Sequence, residues 1–543
     1  MRSTLTTILM LALAVFITPR VALADDAAFT AAAAQLASDD FATKEEAARK
    51  VLELRHPGSK PLLAAFLDGR VFVRSSDMHV FMVVSADADP LELIEPTTQK
   101  PAGTGKAEDF GKITTNNRLR KTLRGAIASF DLADPDIDVR RGAVKELLRT
   151  LDDDTMALLR EQIKKEKDPH VRADIEQGLA LQDLKNDDKK VRLAAIETLK
   201  DSLNPDAYNA LASISVPAAD GTYAEPDLDV RNAAGVASRK IAKWRSFYGG
   251  LETLFFGLSL GSVLVLAAIG LAITFGVMGV INMAHGELMM LGAYCAYVMQ
   301  LLMPNYIGAS IIVAIPVAFV VSGLVGILIE RGIVRWLYGR PLETLLATFG
   351  VSLVLQQVVR DIFSANNRPV ETPQWMSGSL QINEAFSITY NRLYVVIFTM
   401  AVFFLIQLIL KRTTLGLKVR AVSQNRPMAR AMGVRAEWID ALTFGLGSGI
   451  AGVAGVALSQ LTNVGPNLGQ QYIVDSFMVV VFGGVGNLWG TLIGGMSLGV
   501  VNKLLEPYSG AVLAKIFVLV ALILFIQRRP RGIFPQKGRA AEH

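Results

Sequence analysis

The sequence predicts an all-α polytopic membrane protein with broken or re-entrant helices. A mostly α-helical, charge-rich domain with a small β-hairpin precedes it. Three observations predict this. Up to about residue 245, Asp, Glu, Lys and Arg are dense; about 250–527 is mostly apolar, in runs near the roughly 20 residues that span a bilayer. Between two long apolar segments, the stretch Phe275–Tyr294 places Asn282, His285 and Glu287 where hydrocarbon is expected. Further on, Gly483-Gly484-Val485-Gly486-Asn487 divides the apolar region 473–505 into two short pieces.

The chain opens on a targeting pattern. Arg2 gives a positive start, Leu5–Ile17 is apolar, and Ala22-Leu23-Ala24 offers small residues ahead of Asp25. This is the pattern of a secretory signal peptide, residues 1–24, cleaved after Ala24. It implies that residues 25–245 are exported, into the periplasm of a Gram-negative host.

Within that domain, Ala27–Leu52 has helical spacing. Val71-Phe72-Val73 and His79–Val84 flank the turn-like Ser75-Ser76-Asp77 and read as a β-hairpin. Thr97–Lys106 reads as a loop. Its Gly103-Thr104-Gly105-Lys106 lacks the first glycine of a phosphate loop (Lys100 stands there) and the Ser or Thr after the lysine (Ala107), so it is no nucleotide site. From residue 131 a loose repeat appears. Asp138-Val139-Arg140, His170-Val171-Arg172, Lys190-Val191-Arg192 and Asp229-Val230-Arg231 each open an amphipathic helix. The pattern resembles a HEAT-like helical repeat, whose stacked helices share one core. Such a domain serves as a docking surface or as a stabilising appendage; it shows no nucleophile–base or metal-ligand cluster.

The membrane region, 250–530, holds candidate spans at about 254–275, 286–303, 308–329, 342–363, 393–411, 441–461 and 511–527. Orientation follows from basic loops. Lys411–Arg435 carries seven Lys and Arg and no acid; Arg331, Arg335 and Arg340 mark a second basic loop; the tail 531–543, with Arg528 and Arg529 ahead of it, is basic too. All three are expected in the cytoplasm. The count closes if 473–505 crosses twice or re-enters and returns. The net charge of +5 is accounted for by these flanks and points to no nucleic acid. The one cysteine, Cys295, cannot form an internal disulfide and reads as a small core residue.

Phe275-Gly276-Val277-Met278-Gly279 and Phe482-Gly483-Gly484-Val485-Gly486 share a Phe-Gly-x-x-Gly frame. Paired glycine-interrupted segments in two halves mark a transporter's central site; glycine-mediated helix packing is the plainer explanation. The candidate pathway residues are Gly276, Gly279, Asn282, His285, Glu287, Gly483, Gly486 and Asn487. His285 reads equally well as a packing residue hydrogen-bonded to backbone, and Glu287 as an interfacial carboxylate, as either does as a pathway lining or a cap of a helix break. With five scattered histidines, a zinc site is not expected.

The loop Leu415–Gly433 is the second informative stretch. Ala421, Asn425, Ala429 and Gly433 recur every four residues, Asn425 suits a helix cap, Pro427 a first turn and Gly433 a stop. A short basic helix with small residues is expected to insert into a groove on a cytoplasmic partner.

These residues carry a resemblance. The run Gly270–Glu287 (Gly-Leu-Ala-Ile-Thr-Phe-Gly-Val-Met-Gly-Val-Ile-Asn-Met-Ala-His-Gly-Glu) is similar to the signature of permease subunits in branched-chain amino-acid type ABC importers. The set Arg420, Ala421, Asn425, Ala429 and Gly433 resembles that family's ATPase-coupling loop. The leader, the exported domain and the tail Arg528–Arg539 further resemble the urea-transport permeases within that family. The resemblance implies a bacterial inner-membrane, multi-pass subunit without enzymatic activity or cofactor. It also implies a sister permease, two cytoplasmic ATPases, an extracytoplasmic solute-binding protein and membrane lipid as partners. Urea is the expected solute, with branched-chain amino acids or short amides as the alternative. A membrane-anchored scaffold or sensor is the reading from another class.

Overall fold

The computed structural model describes residues 20–149, 153–217 and 221–534. The apolar stretch of the expected leader and the end of the basic tail lie outside these residues. The chain divides into two compact units, Met1–Ile241 and Ala242–His543.

The first unit begins with three helices, α1 (Arg20–Gln35), α2 (Phe41–Leu54) and α3 (Ser59–Leu67). They pack on an antiparallel sheet of β1 (Val71–Arg74), β2 (Val80–Val83), β3 (Leu91–Ile94), β4 (Pro101–Gly105) and β5 (Phe110–Lys112), in the order β4-β3-β2-β1-β5. Phe29, Leu36, Val51, Leu62, Phe66, Val71 and Leu123 fill the core between them. The expected hairpin is present, with Phe72 opposite Phe81. The expected loop over Thr97–Lys106 is partly wrong: β4 pairs with β3, Glu92 opposite Thr104. Its Pro and Gly residues carry no strand signal of their own. They are tolerated because β4 is an edge strand, whose outer side needs no partner.

Six helices follow in this unit: α4 (Asn117–Asp131), α5 (Ile137–Leu148), α6 (Asp153–Lys165), α7 (Pro169–Asp183), α8 (Lys189–Leu199) and α9 (Pro205–Ser215). The repeated x-Val-Arg tripeptide has a clear local role. In each copy an Asp two residues earlier caps the helix: Asp136, Asp168, Asp188 and Asp227 accept from the backbone N–H of residues 138, 170, 190 and 229. In two copies the arginine reaches back to the preceding loop. Arg140 donates to the carbonyls of Asp134 and Pro135, and Arg192 to those of Asn186 and Asp187. Their other faces pair with Glu166 and Glu225.

The next helix, α10 (Leu228–Met278), starts in the first unit and ends in the second. The second unit continues with α11 (His285–Leu302), α12 (Ile307–Gly332), α13 (Pro341–Phe363), a hairpin of β6 (Ser379–Asn383) and β7 (Phe386–Thr389), and α14 (Tyr390–Arg412). Then come α15 (Thr414–Gln424), α16 (Arg426–Ala431), α17 (Ala436–Ser459), α18 (Leu468–Gly483) and α19 (Leu488–Arg528). Among the described residues, six helices are long and apolar enough to cross a membrane. The last is divided by Pro507 and the non-helical Gly510 (φ 77°, ψ 161°), and the expected 511–527 span is its second half. The middle of the bundle is α17, almost wholly buried against α11 and α12. It is rich in glycine, which lets the neighbouring backbones close on it.

Candidate functional site

The site is built by a helix break. α10 stops at Met278 because Gly279 turns to φ +67° and its N–H bonds back to the Phe275 carbonyl. Residues 280–284 are not helical, and α11 starts at His285. Non-helical backbone inside an apolar bundle must find its hydrogen bonds in protein. Asn282 Oδ1 accepts from the Ala284 N–H at 3.0 Å, and the Met283 N–H donates to Thr348 Oγ1 at 3.1 Å.

The three polar residues of the break are buried, at 0–1% exposure. His285 Nε2 lies 2.9 Å from the Ala267 carbonyl. A carbonyl only accepts, so Nε2 carries the proton. This pins the start of α11 to α10, and a methyl group on Gly270 would strike the imidazole. Glu287 Oε1 accepts from Ser352 Oγ at 3.0 Å and Gln356 Nε2 at 2.7 Å. Three atoms are left over: Asn282 Nδ2, His285 Nδ1 and Glu287 Oε2 are buried without a hydrogen-bond partner.

The partners of Glu287 were not singled out from the sequence, though a signal existed. Thr344, Thr348, Ser352 and Gln356 recur every four residues in α13 and are all buried. Leu342, Leu346, Leu353, Val354, Val358 and Ile362 of the same helix are exposed. A span that turns its hydroxyl and amide stripe inward and its aliphatic face outward is amphipathic in the reverse sense of a soluble helix. Arg360 extends the stripe by one turn and donates to Asn467 Oδ1 at 2.8 Å. Asn467 directly precedes α18, and Gly469 in the first turn of α18 packs on Gly286 in the first turn of α11. Two helices therefore begin beside the polar cluster.

The glycine frames do meet. A methyl on Gly276 would run into Gly486 Cα, so the two Phe-Gly-x-x-Gly pieces touch at their glycines. They do not meet at the polar cluster. Gly469 at the start of α18 faces Gly286, and Gly483 at its end belongs to the second break; 14 residues of helix at 1.5 Å each separate them by about 21 Å. In that second break Asn487 is a helix cap, its Oδ1 accepting from the N–H groups of Trp489 and Gly490. Gly483 packs on Gly490, and Ile533 and Phe534 donate their N–H groups to the carbonyls of Phe482 and Gly483. The eight expected pathway residues thus divide into a polar cluster (Asn282, His285, Glu287), the turn that opens its break (Gly279), a backbone crossing (Gly276 with Gly486) and the second break (Gly483, Asn487).

The loop 412–435 folds as two helices. Asn425 ends α15 and caps α16 through Met428 N–H; Gly433 turns out at φ +82°. Arg420 donates to the Leu410 carbonyl. Of the evenly spaced residues, Ala429 is buried with Val419, Val422 and Ile439, Ala421 is half-buried, and Asn425 and Gly433 are exposed. Leu417, Met428 and Met432 are the loop's large exposed apolar side chains.

Residues 253–526 match the model of the family described as branched-chain amino acid transport system / permease component. The chain is 30% identical over 296 residues to the high-affinity branched-chain amino acid transport system permease protein BraD of Pseudomonas aeruginosa, covering 53% of this chain and 96% of that protein. It is 31% identical over 294 residues to the corresponding permease protein LivH of Escherichia coli K12, 52% of this chain and 94% of the relative. The ribose import permease protein RbsC of Haemophilus influenzae is more distant, at 23% over 276 residues, 48% of this chain and 81% of the relative. No solved structure matches. With a broken-helix bundle and a family match over its whole apolar part, the chain belongs to the branched-chain amino acid transport system permease family and is a membrane permease component, not an enzyme.

Proposed function

We propose that this chain is the transmembrane subunit of an ATP-driven importer and that its solute is urea. It works with a sister permease, two cytoplasmic ATPases and an extracytoplasmic solute-binding protein. One observation carries the solute reading: the break leaves one buried donor, Asn282 Nδ2, and two buried acceptors, His285 Nδ1 and Glu287 Oε2, without partners. An unmet donor and an unmet acceptor in one buried break complement an amide, which brings a carbonyl oxygen and N–H groups. Ser352 and Gln356 hold Glu287 by its other oxygen and leave Oε2 to the solute. Polar groups at this depth are costly unless they serve a pathway.

The remaining assignments fit this scheme. Residues 1–24 are the leader, 25–245 an exported HEAT-like domain, 250–530 the permease and 531–543 a cytoplasmic tail. The basic loop at 411–435 faces the cytoplasm, and Leu417, Met428 and Met432 form the surface for the ATPase groove.

A branched-chain amino acid is the second reading. BraD and LivH, as branched-chain amino acid permeases, favour it, as does Arg360, a cation at the end of the polar stripe that suits a carboxylate. Uptake of radiolabelled urea and leucine by cells lacking and regaining the gene separates the two. Urea uptake lost on deletion and restored by the wild type, but not by Glu287→Gln, is the expected result. Leucine uptake lost with urea uptake intact selects the amino acid. A detergent-purified chain without ATPase, together with uptake that survives replacement of 420–433, leaves only a scaffold role.

A further inference from the structure

We propose that Arg426 is a positioning residue that transmits movement of the short helix α16 into the polar break, through a buried ion pair with Asp440. The inference rests on the importer reading and adds the linkage inside this chain.

Arg426 is the first residue of α16. Its Nη2 pairs with Asp440 Oδ2; the two side chains are 18% and 3% exposed. The guanidinium carbon lies 4.1 Å from the ring centre of Tyr338, so the cation is held between a carboxylate and an aromatic face. Tyr338 belongs to the other basic loop, between α12 and α13. This end of the bundle is also tied to α17: Arg331, in the last turn of α12, lies over Trp438 at 4.4 Å, and Arg335 of the loop is 3.6 Å from Glu437. Arg430, also on α16, is 3.7 Å from the other oxygen of Glu437. The short helix is thus clasped to the base of α17 by charge, not by apolar contact alone.

α17 is the bundle's central helix, and its backbone bears directly on the helices of the break. Gly447 packs on Gly270, which abuts His285; Gly455 packs on the Met289 carbonyl, two residues beyond Glu287. Close-packed interiors deform little and transmit displacement. A push on α16 therefore passes to Asp440, along α17, and into the first turns of α11. A buried pair is a poor source of stability, because desolvation offsets its attraction; its retention here fits a link that must hold one register.

The test uses the purified complex with its ATPases, reconstituted in proteoliposomes, measuring uptake of whichever radiolabelled solute (urea or leucine) the wild type takes up, and ATP hydrolysis in parallel. Arg426→Ala and Asp440→Asn are expected to keep the ATPases bound and hydrolysing while uptake per ATP falls about tenfold. Arg426→Lys, which keeps the charge pair, should recover most of the loss, and Tyr338→Leu should give an intermediate value. If Arg426→Ala or Asp440→Asn proves unstable, the Tyr338→Leu and Arg426→Lys pair still decides it. Unchanged uptake per ATP in every variant overturns the linkage while leaving the importer intact. Loss of the ATPases from the variant complexes also overturns it, since Arg426 would then serve docking. A wild-type complex that carries no ATPase overturns the importer reading and this inference together.

Discussion

Two stretches of the membrane unit carry the same frame, Phe275–Gly279 and Phe482–Gly486, and touch through Gly276 and Gly486. Their chemistry is opposite. The second break consumes its own hydrogen-bonding groups: Asn487 caps α19, and the chain beyond it returns to bond the carbonyls of Phe482 and Gly483. The first break leaves Asn282 Nδ2, His285 Nδ1 and Glu287 Oε2 unmet. A satisfied break is scaffold; an unsatisfied one is available for a ligand, because a buried polar atom without a partner costs free energy that a solute can recover. Sequence likeness marked both as special. Hydrogen bonding separates them.

The sharpest way to break that comparison is at the shared contact. Gly276→Leu drives a side chain into the backbone of Gly486. It should destabilise by roughly 3 kcal/mol or more, since neither backbone can yield. Loss of the monodisperse peak in detergent chromatography is the readout; a well-folded, active Gly276→Leu would dissolve the crossing.

Next in size is the chemistry of the first break. Glu287→Gln and Asn282→Ala should each cut solute uptake roughly ten- to a hundredfold, the value of a hydrogen bond to a buried polar or charged group. The protein should still purify intact. Ser352→Ala, which frees one bond of Glu287, should lose less than either.

The second break should respond only in stability. Asn487→Ala removes the cap of α19 and should cost about 1 kcal/mol in a thermal-unfolding assay, with uptake near wild type. An uptake defect as large as that of Glu287→Gln would make both breaks functional.

Much of this was legible in the residues. Asp-Pro and x-Val-Arg located helix starts, and the structure adds that the cap sits two residues ahead of each tripeptide. Asn425, Pro427 and Gly433 located the helix start and stop in the loop. The four-residue spacing of Ala421, Asn425, Ala429 and Gly433 does not lie on one face: the turn at Asn425 divides it between two helices, so Ala429 packs with Val419 and Ile439 while Asn425 and Gly433 stay exposed. The stripe Thr344, Thr348, Ser352, Gln356 was present but silent, since hydroxyls and amides in an apolar span raise no hydropathy alarm.

By itself, the order of residues determined where the chain can cross a membrane, where helices must stop, and which polar groups lie at depth. These follow from local rules: side-chain hydrophobicity, the φ freedom of glycine, the capping power of Asp and Asn. Which of those groups remain unmet was decided only by tertiary structure. Ser352 and Gln356 stand 65 and 69 positions from Glu287. Ile533 and Phe534 come back from beyond the whole of α19 to close the second break on Phe482 and Gly483. Hydrogen bonds saturate, and only the fold shows which are already spent.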